Sequence, residues 1–169
     1  DKKIQLKGLK LGLMGQFQAQ NAGLAIAACL KFLGGSKESE IRKGLETVHW
    51  EGRLEVVSDS PTVVLDCAHN VASVRNMTSE VRKNIDFDRC FVILGLMKDK
   101  EIDNIIEILN QFGDLFYLVQ VDPKRGETTK KLKEKLNKYN KPVHVSESVS
   151  NALQAAKESA KPKDLVCIT

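Results

Sequence analysis

No apolar run in this 169-residue sequence approaches the roughly 20 residues needed to cross a bilayer, and the opening DKKIQLKGLK has no apolar core of the kind a secretory leader carries. No membrane partner is therefore expected. Cysteine is sparse. Cys29, Cys67, Cys90 and Cys167 form no CxxC pair, and all sit in apolar runs. Free cysteine in such a setting behaves as a small hydrophobe, so reduced thiols and a cytoplasmic location are expected. A zinc site built on Cys67 and His69 lacks a second ligand pair at suitable spacing. Aromatic residues make up 5% of the chain, and no Lys/Arg stripe is interleaved with them, which argues against a nucleic-acid partner. The charge excess is mild, 26 basic against 22 acidic residues. The densest lysine run, KRGETTKKLKEKLNKYNK, reads as the solvated face of a helix. Internal repeats and low-complexity segments are missing. So are a GxGxxG after a strand and a GxxxxGK[ST] loop; if the ligand is a nucleotide, this chain holds only part of it. The sequence starts without Met and stops on the strand-like DLVCIT, which suggests a longer parent.

What is present is ordinary globular material, 42% hydrophobic and 28% charged. It suits one large domain, or one domain and a smaller appendage. The first 48 or so residues have their own rhythm. IQLKGLKLGLMG alternates loosely, like a strand pair or extended segment. QNAGLAIAACLKFLGG is 3.6-periodic and stops at Gly34-Gly35, as a glycine-capped helix does. SKESEIRKGLETV opens a second helix, with Ser36 as a cap and acidic residues behind it.

After HWEGR, β-rich and helical runs alternate. Strands are predicted at 54–57, 62–66, 90–95, 115–120, 142–145 and 165–168, and helices near 71–84, 101–112, 128–139 and 148–160. Such alternation with short links gives right-handed crossovers and a mostly parallel sheet. Only SDSP separates the first two strands, which permits a hairpin and forbids a parallel crossover. The expected fold is α/β and Rossmann-like: a six-stranded sheet with one antiparallel edge strand and helices on both faces.

Open α/β sheets bind ligands outside the carboxyl ends of their strands. Those ends read LDCAHN, GLMKDKE and VDPKRGE. Asp66 suits two neighbouring hydroxyls, as on a ribose. His69 and Asn70 suit a phosphate or a helix N-terminus. Lys98, Lys100 and Arg125 suit anions. Each also has a plainer reading: Asp66 accepting backbone amides in its turn, Asn70 as N-cap of the 71–84 helix, Asp99 as a cap, and Arg125 as a solvated turn residue. Trp50, the single tryptophan, reads as a packing anchor at a domain junction. A receiver-like domain would also end a strand in a lone Asp, but PVHVSES supplies neither a second acidic cluster nor the required Lys.

Four segments in order carry a resemblance. GQFQAQNAGLAIAA, WEGRLEVV, VVLDCAHN and LGLMKDKE resemble the GxHQxxNAAxA, WPGRxE, DGAHNP and GxxxDKD stretches of the folylpolyglutamate and dihydrofolate synthases, Mur-ligase-like ATP-dependent amide ligases. Phe17, Glu51, Cys67 and Val71 depart from the family's His, Pro, Gly and Pro, and Glu101 replaces its last Asp. The resemblance implies that residues 1 to about 48 are the end of a central ATP-binding domain and that residues 49–169 form the C-terminal, glutamate-binding domain. It implies ATP and Mg²⁺ as cofactors, the metal ligands lying outside this chain. It also implies L-glutamate and folate or dihydropteroate as substrates, and a missing N-terminal P-loop domain without which the chain has no turnover. By the same resemblance Asn21 meets the adenine, Arg53 the phosphate side of the nucleotide, Asp66 the ribose, His69 the phosphates and Lys100 the carboxylate of the incoming amino acid. A catalytically inactive interaction module with the same fold is the alternative.

Overall fold

The computed structural model describes residues 6–34 and 37–169. Helix α1 (Gln16–Phe32) and helix α2 (Glu38–Thr47) come first. Then follow strand β1 (Glu55–Asp59), β2 (Thr62–Leu65), α3 (Val71–Asn84), β3 (Cys90–Leu94), α4 (Ile102–Phe112), β4 (Leu115–Leu118), α5 (Thr129–Asn137), β5 (Val143–Val145), α6 (Val149–Ser159) and β6 (Leu165–Ile168).

The strands form one sheet in the order β1-β2-β6-β3-β4-β5. β1 pairs antiparallel with β2, and every other pairing is parallel. The expected antiparallel edge strand is thus present. It begins one residue later than predicted, because Leu54 takes a left-handed backbone (φ 48°) that no strand accommodates.

The alternation within β3 shows where the helices must go. Cys90, Val92 and Leu94 enter one core cluster and Phe91 and Ile93 another. All five are buried, so both sheet faces need a helical cover. The first face takes α3, α4 and α5 through Val74, Met77, Ile105, Leu109, Leu132 and Leu136. The second takes α6, whose Ala152 and Ala156 allow close approach to Tyr117 and Val166. Right-handed crossovers dictate this split: the chain advances from β2 to β5 over one face and returns to β6 over the other. Burial pushes the Cys167 thiol up to about 12, and Cys90 also lies far above its usual range. These two cysteines are core hydrophobes as expected. Cys29 and Cys67 are exposed, which corrects the expectation for them.

Residues 6–15 form no strand, which removes the strand-pair alternative for IQLKGLKLGLMG and leaves that of a segment without a ladder; its first two residues and the expected cap Ser36 lie outside the described residues. The backbone there finds other partners. The Arg42 guanidinium donates to the carbonyls of Lys7 (2.7 Å) and Gly8 (3.1 Å), and the Gly12 amide donates to Leu45 O (2.8 Å). With these groups satisfied, no ladder is needed. α1 ends as predicted, with Gly34 in the left-handed region (φ 67°) just past its C-cap. Trp50 is 65% exposed in this chain. No helix among the described residues is long and apolar enough to cross a membrane.

α1 joins the sheet domain at its first turn. Met14 and Phe17 pack on the larger core cluster. The Gln16 amide, an orphan donor at the helix start, donates to Glu80 Oε2 (2.9 Å) on α3. Lys83 Nζ sits 3.0 Å from Glu80 Oε1. The Gln16 amide and then Lys83 hold the Glu80 carboxyl below its ordinary value of 4.5. A depressed carboxylate contributes stability that is full above the unfolded value and is lost as pH falls through the folded one. Glu80→Ala is therefore expected to speed hydrogen exchange in the first turn of α1 by about ten- to a hundredfold at pH 7, the scale of one charged hydrogen bond. In the unsubstituted chain the same turn should lose protection below pH 4.5. Unchanged exchange in both experiments would show that α1 is held by other contacts.

Candidate functional site

The candidate site is built on two turns tied to each other. The first, residues 49–54, precedes β1; the second, residues 66–70, follows β2. The Gly52 amide donates to Glu55 Oε2 (2.9 Å), the Cys67 amide to Gly52 O (2.9 Å), and the Leu54 amide to Asp66 Oδ2 (2.9 Å). His49 Nε2 lies 3.6 Å from Glu55 Oε1. Gly52 must be glycine twice over. Its φ is 65°, and a Cβ would meet the Cys67 thiol at 2.5 Å. The side chain that Cys67 adds in place of the family's Gly thus rests where Gly52 has none.

The second turn is also fastened to β6. Asp66 N donates to Ile168 O (3.0 Å), and the Thr169 hydroxyl donates to Ala68 O (2.9 Å). Extended backbone through 64–68 sends Val64, Asp66 and Ala68 inward and leaves Cys67, His69 and Asn70 outward. Asp66 is only 6% exposed. Burial raises its carboxyl above the ordinary 3.8, against the pull of the Leu54 and Ala68 amides and of the Arg53 charge. A carboxylate offers about four lone-pair sites, so two amides leave it able to accept from further donors. The plainer reading of Asp66 as an acceptor of backbone amides in its turn is thus seen directly.

His69 is exposed, and its Nδ1 lies 2.9 Å from Cys67 O. A carbonyl only accepts, so Nδ1 carries a hydrogen and Nε2 remains available. Asn70 is the N-cap of α3: its side chain accepts from Ser73 N (2.9 Å), while Ser73 Oγ accepts from the amides of Asn70 and His69 (both 3.1 Å). Arg53 is exposed and makes no hydrogen bond among the described residues. Arg53, Asp66, His69 and Asn70 are therefore brought together on one cross-linked pair of turns.

Asn21 and Lys100 stand apart from that hydrogen-bonded unit. Asn21, exposed on α1, donates to Gln18 Oε1 (2.8 Å). Lys100 pairs with Asp99 (2.9 Å) and lines a cleft between α4 and α5 with Asn104, Glu127 and Lys131. Asp99 does not cap α4: the N-cap is Glu101, whose side chain makes no capping bond to the helix backbone. Lys98 is a structural cation, its Nζ donating to Lys124 O (2.8 Å) while its amide donates to Arg125 O (3.0 Å). With the Met97–Gly126 bridge, this knits the loops after β3 and β4 together. No group of three or more His, Cys, Asp or Glu suited to a metal occurs among the described residues.

The family model for the Mur ligase, glutamate ligase domain matches residues 52–169. The chain belongs to that family. Curated relatives include a dihydrofolate synthase/folylpolyglutamate synthase of Escherichia coli, 30% identical over 163 residues, covering 96% of this chain and 37% of the relative. A probable bifunctional folylpolyglutamate synthase/dihydropteroate synthase of Haloferax volcanii is 31% identical over 95% of this chain and 19% of its own length. Among solved structures, E. coli FolC in complex with DHPP and ADP superposes with a TM-score of 0.85 at 31% identity, over 96% of this chain and 38% of that one. The chain thus spans less than two-fifths of the length of each of these relatives. The family's Mur ligase C-terminal fold is the one described above. Phe17, where the resemblance expects His, is half-buried against the core. Val71, where Pro is expected, begins α3, the helix position that Pro favours.

Sequence reasoning missed Glu55, Ser73 and Thr169, which position the turns. Ser73 carried a signal, since it lies three residues after Asn70 as a reciprocal cap. Thr169 carried none, because its partner is 101 residues away. Asn70→Ala is expected to cost about 1 kcal/mol of stability in chemical denaturation, the usual worth of an N-cap. No change in the midpoint would leave Asn70 free for another role.

Proposed function

We propose that this chain is the C-terminal part of an ATP-dependent ligase that adds L-glutamate to folate or dihydropteroate. Residues 1 to about 48 are then the end of the central ATP-binding domain, and residues 49–169 are the glutamate-binding domain. The observation that carries this reading is the linked pair of turns presenting Arg53, Asp66 and His69 at the carboxyl edge of the sheet, within the glutamate ligase family. ADP is bound in the E. coli FolC structure, and the residues here suit a nucleotide: Asp66 has acceptor capacity left for ribose hydroxyls, and Arg53 has no protein anion bonded to it.

In this reading Asp66 takes the ribose, Arg53 and His69 the phosphate side, Asn21 the adenine and Lys100 the carboxylate of the incoming glutamate. The acceptor's carboxylate oxygen attacks the γ-phosphorus of ATP, giving an acyl phosphate and ADP. The glutamate amine then attacks the acyl carbon, and phosphate leaves as the amide forms. Cationic and N–H donors near the acyl oxygen stabilise the tetrahedral intermediate. Mg²⁺ would supply charge neutralisation at the phosphates, and its ligands belong to the P-loop part of the parent. Four free thiols accord with a cytoplasmic location.

The test uses Asp66→Asn and His69→Ala in the full-length parent. Ionisation of a carboxyl whose folded value is raised costs stability as pH rises through that value, and the neutral amide of Asn escapes this cost while its oxygen still accepts from Leu54. Asp66→Asn is therefore expected to match or exceed the parent's Tm at pH 7 while raising the KM for ATP about ten- to a hundredfold. His69→Ala should lower kcat more than Asp66→Asn does, because phosphate contacts strengthen as charge moves and ribose contacts do not. An Asp66→Asn enzyme with the parent's KM for ATP returns Asp66 to a purely structural role and removes the nucleotide reading.

A further inference from the structure

A second concave surface lies outside the site just described. It runs between α3 and α4, with a volume of about 740 Å³. Its first α3 residue, Val71, directly follows Asn70, so the groove opens beside the candidate site. It then follows α3 through Arg75 to Arg82 and Lys83, a run of roughly 18 Å from Val71 at helical rise. Val71, Ile108 and the nearly buried Phe112 give it an apolar strip, set among the polar Thr78, Ser79, Asn104 and Gln111. The rim carries three cations, Arg75, Arg82 and Lys83, against one acidic residue, Glu107.

These cations are not equivalent. The Arg82 guanidinium is fixed, donating to Gln111 O and lying over the Phe112 ring at 5.8 Å from its centroid. Two of its three nitrogens are left for other partners. Lys83 is paired with Glu80. The Arg75 side chain is exposed and has no hydrogen bond or ion pair among the described residues, although it stands on a helix with a carboxylate five residues away. A row of cations along an apolar strip suits a ligand with carboxylates at intervals and methylenes between them.

We propose that this groove binds a poly-γ-glutamate chain. The inference rests on the ligase reading above, whose product gains one carboxylate and two side-chain methylenes with each added glutamate. The methylenes match the strip of Val71, Ile108 and Phe112, and the carboxylates match Arg75 and Arg82. A growing tail leaving the site beside Asn70 enters the groove at Val71. Arg75 is the first cation it meets, and a planar guanidinium takes a carboxylate through two parallel N–H bonds.

The probe is fluorescein-labelled penta-γ-glutamate, titrated by anisotropy against this chain without nucleotide. Binding is expected to saturate, to weaken from low to physiological salt, and to drop tenfold or more in Arg75→Glu. Arg75→Lys should retain binding within about threefold to tenfold, since charge survives and the bidentate geometry does not. Lys130→Glu, an equal charge change on exposed α5 away from the groove, should leave it intact. No saturable binding overturns the proposal, and so does a Lys130→Glu loss equal to that of Arg75→Glu, which would mean diffuse attraction. Equal competition by unlabelled penta-α-glutamate also overturns it, because it would assign the groove to acidic peptides. Failure of the parent to bind ATP would remove the ligase reading and leave this titration unaltered, whereas failure of the γ-linked probe would remove the groove and leave the ligase reading standing.

Discussion

The contact on which this structure turns is the one between the Leu54 amide and the Asp66 carboxylate (2.9 Å). It is costly on both sides. Leu54 sits in the left-handed region, worth roughly 1–2 kcal/mol against a residue with a Cβ. Asp66 is a carboxylate taken almost wholly out of water. Each cost is offset by the other partner and by burial of the Leu54 side chain, which is 2% exposed in the main core cluster. The result is a tight turn at residues 52–54 that leads into β1 and leaves Arg53 exposed, with its charge close enough to act on Asp66.

From that junction the site assembles with few further demands. The sheet brings β6 between β2 and β3, so Ile168 and Thr169 can hold the turn after β2 while Thr169 also bonds Ile93. The turn carrying His69 is therefore braced from three directions: by Gly52, by β6 and by the cap of α3. Charges near the carboxyl edge divide into two kinds. Lys98 is committed to the backbone of the neighbouring loop, and Asp122 is held below its usual range by the Arg125 and Lys124 amides it accepts from. Arg53 and His69 Nε2 are not committed to the protein in this way.

The departures from the family pattern are absorbed locally. Cys67 uses the space that Gly52 leaves, and Phe17 exchanges a polar ring for packing on the core. The second exchange bears on α1. Leu24, Phe32 and Leu33 on or just after this helix are 73%, 94% and 70% exposed, so the helix buries little on this chain beyond its first turn. Glu80 and Phe17 hold that turn, one by a charged hydrogen bond and one by apolar contact.

Much of the fold was legible in the sequence because its signals are local. The alternation of β-rich and 3.6-periodic runs after residue 53 located six strands and four helices, and SDSP alone excluded a parallel link between the first two strands. Asn70 could be read as a cap because its partner, Ser73, lies on the next turn. The segment 6–15 left two alternatives open because alternation specifies a strand only where a neighbouring strand is free to pair, and here Arg42 and Leu45 supply backbone partners instead. By itself the sequence determined the α/β class, the edge hairpin and the polar character of LDCAHN. Tertiary structure alone decided that Asp66 reaches back to Leu54, that Thr169 braces Ala68, that Lys98 is spent on a loop and that Arg53 is not. Those outcomes depend on distances between residues far apart in the chain, which closure of the sheet sets and no local pattern encodes.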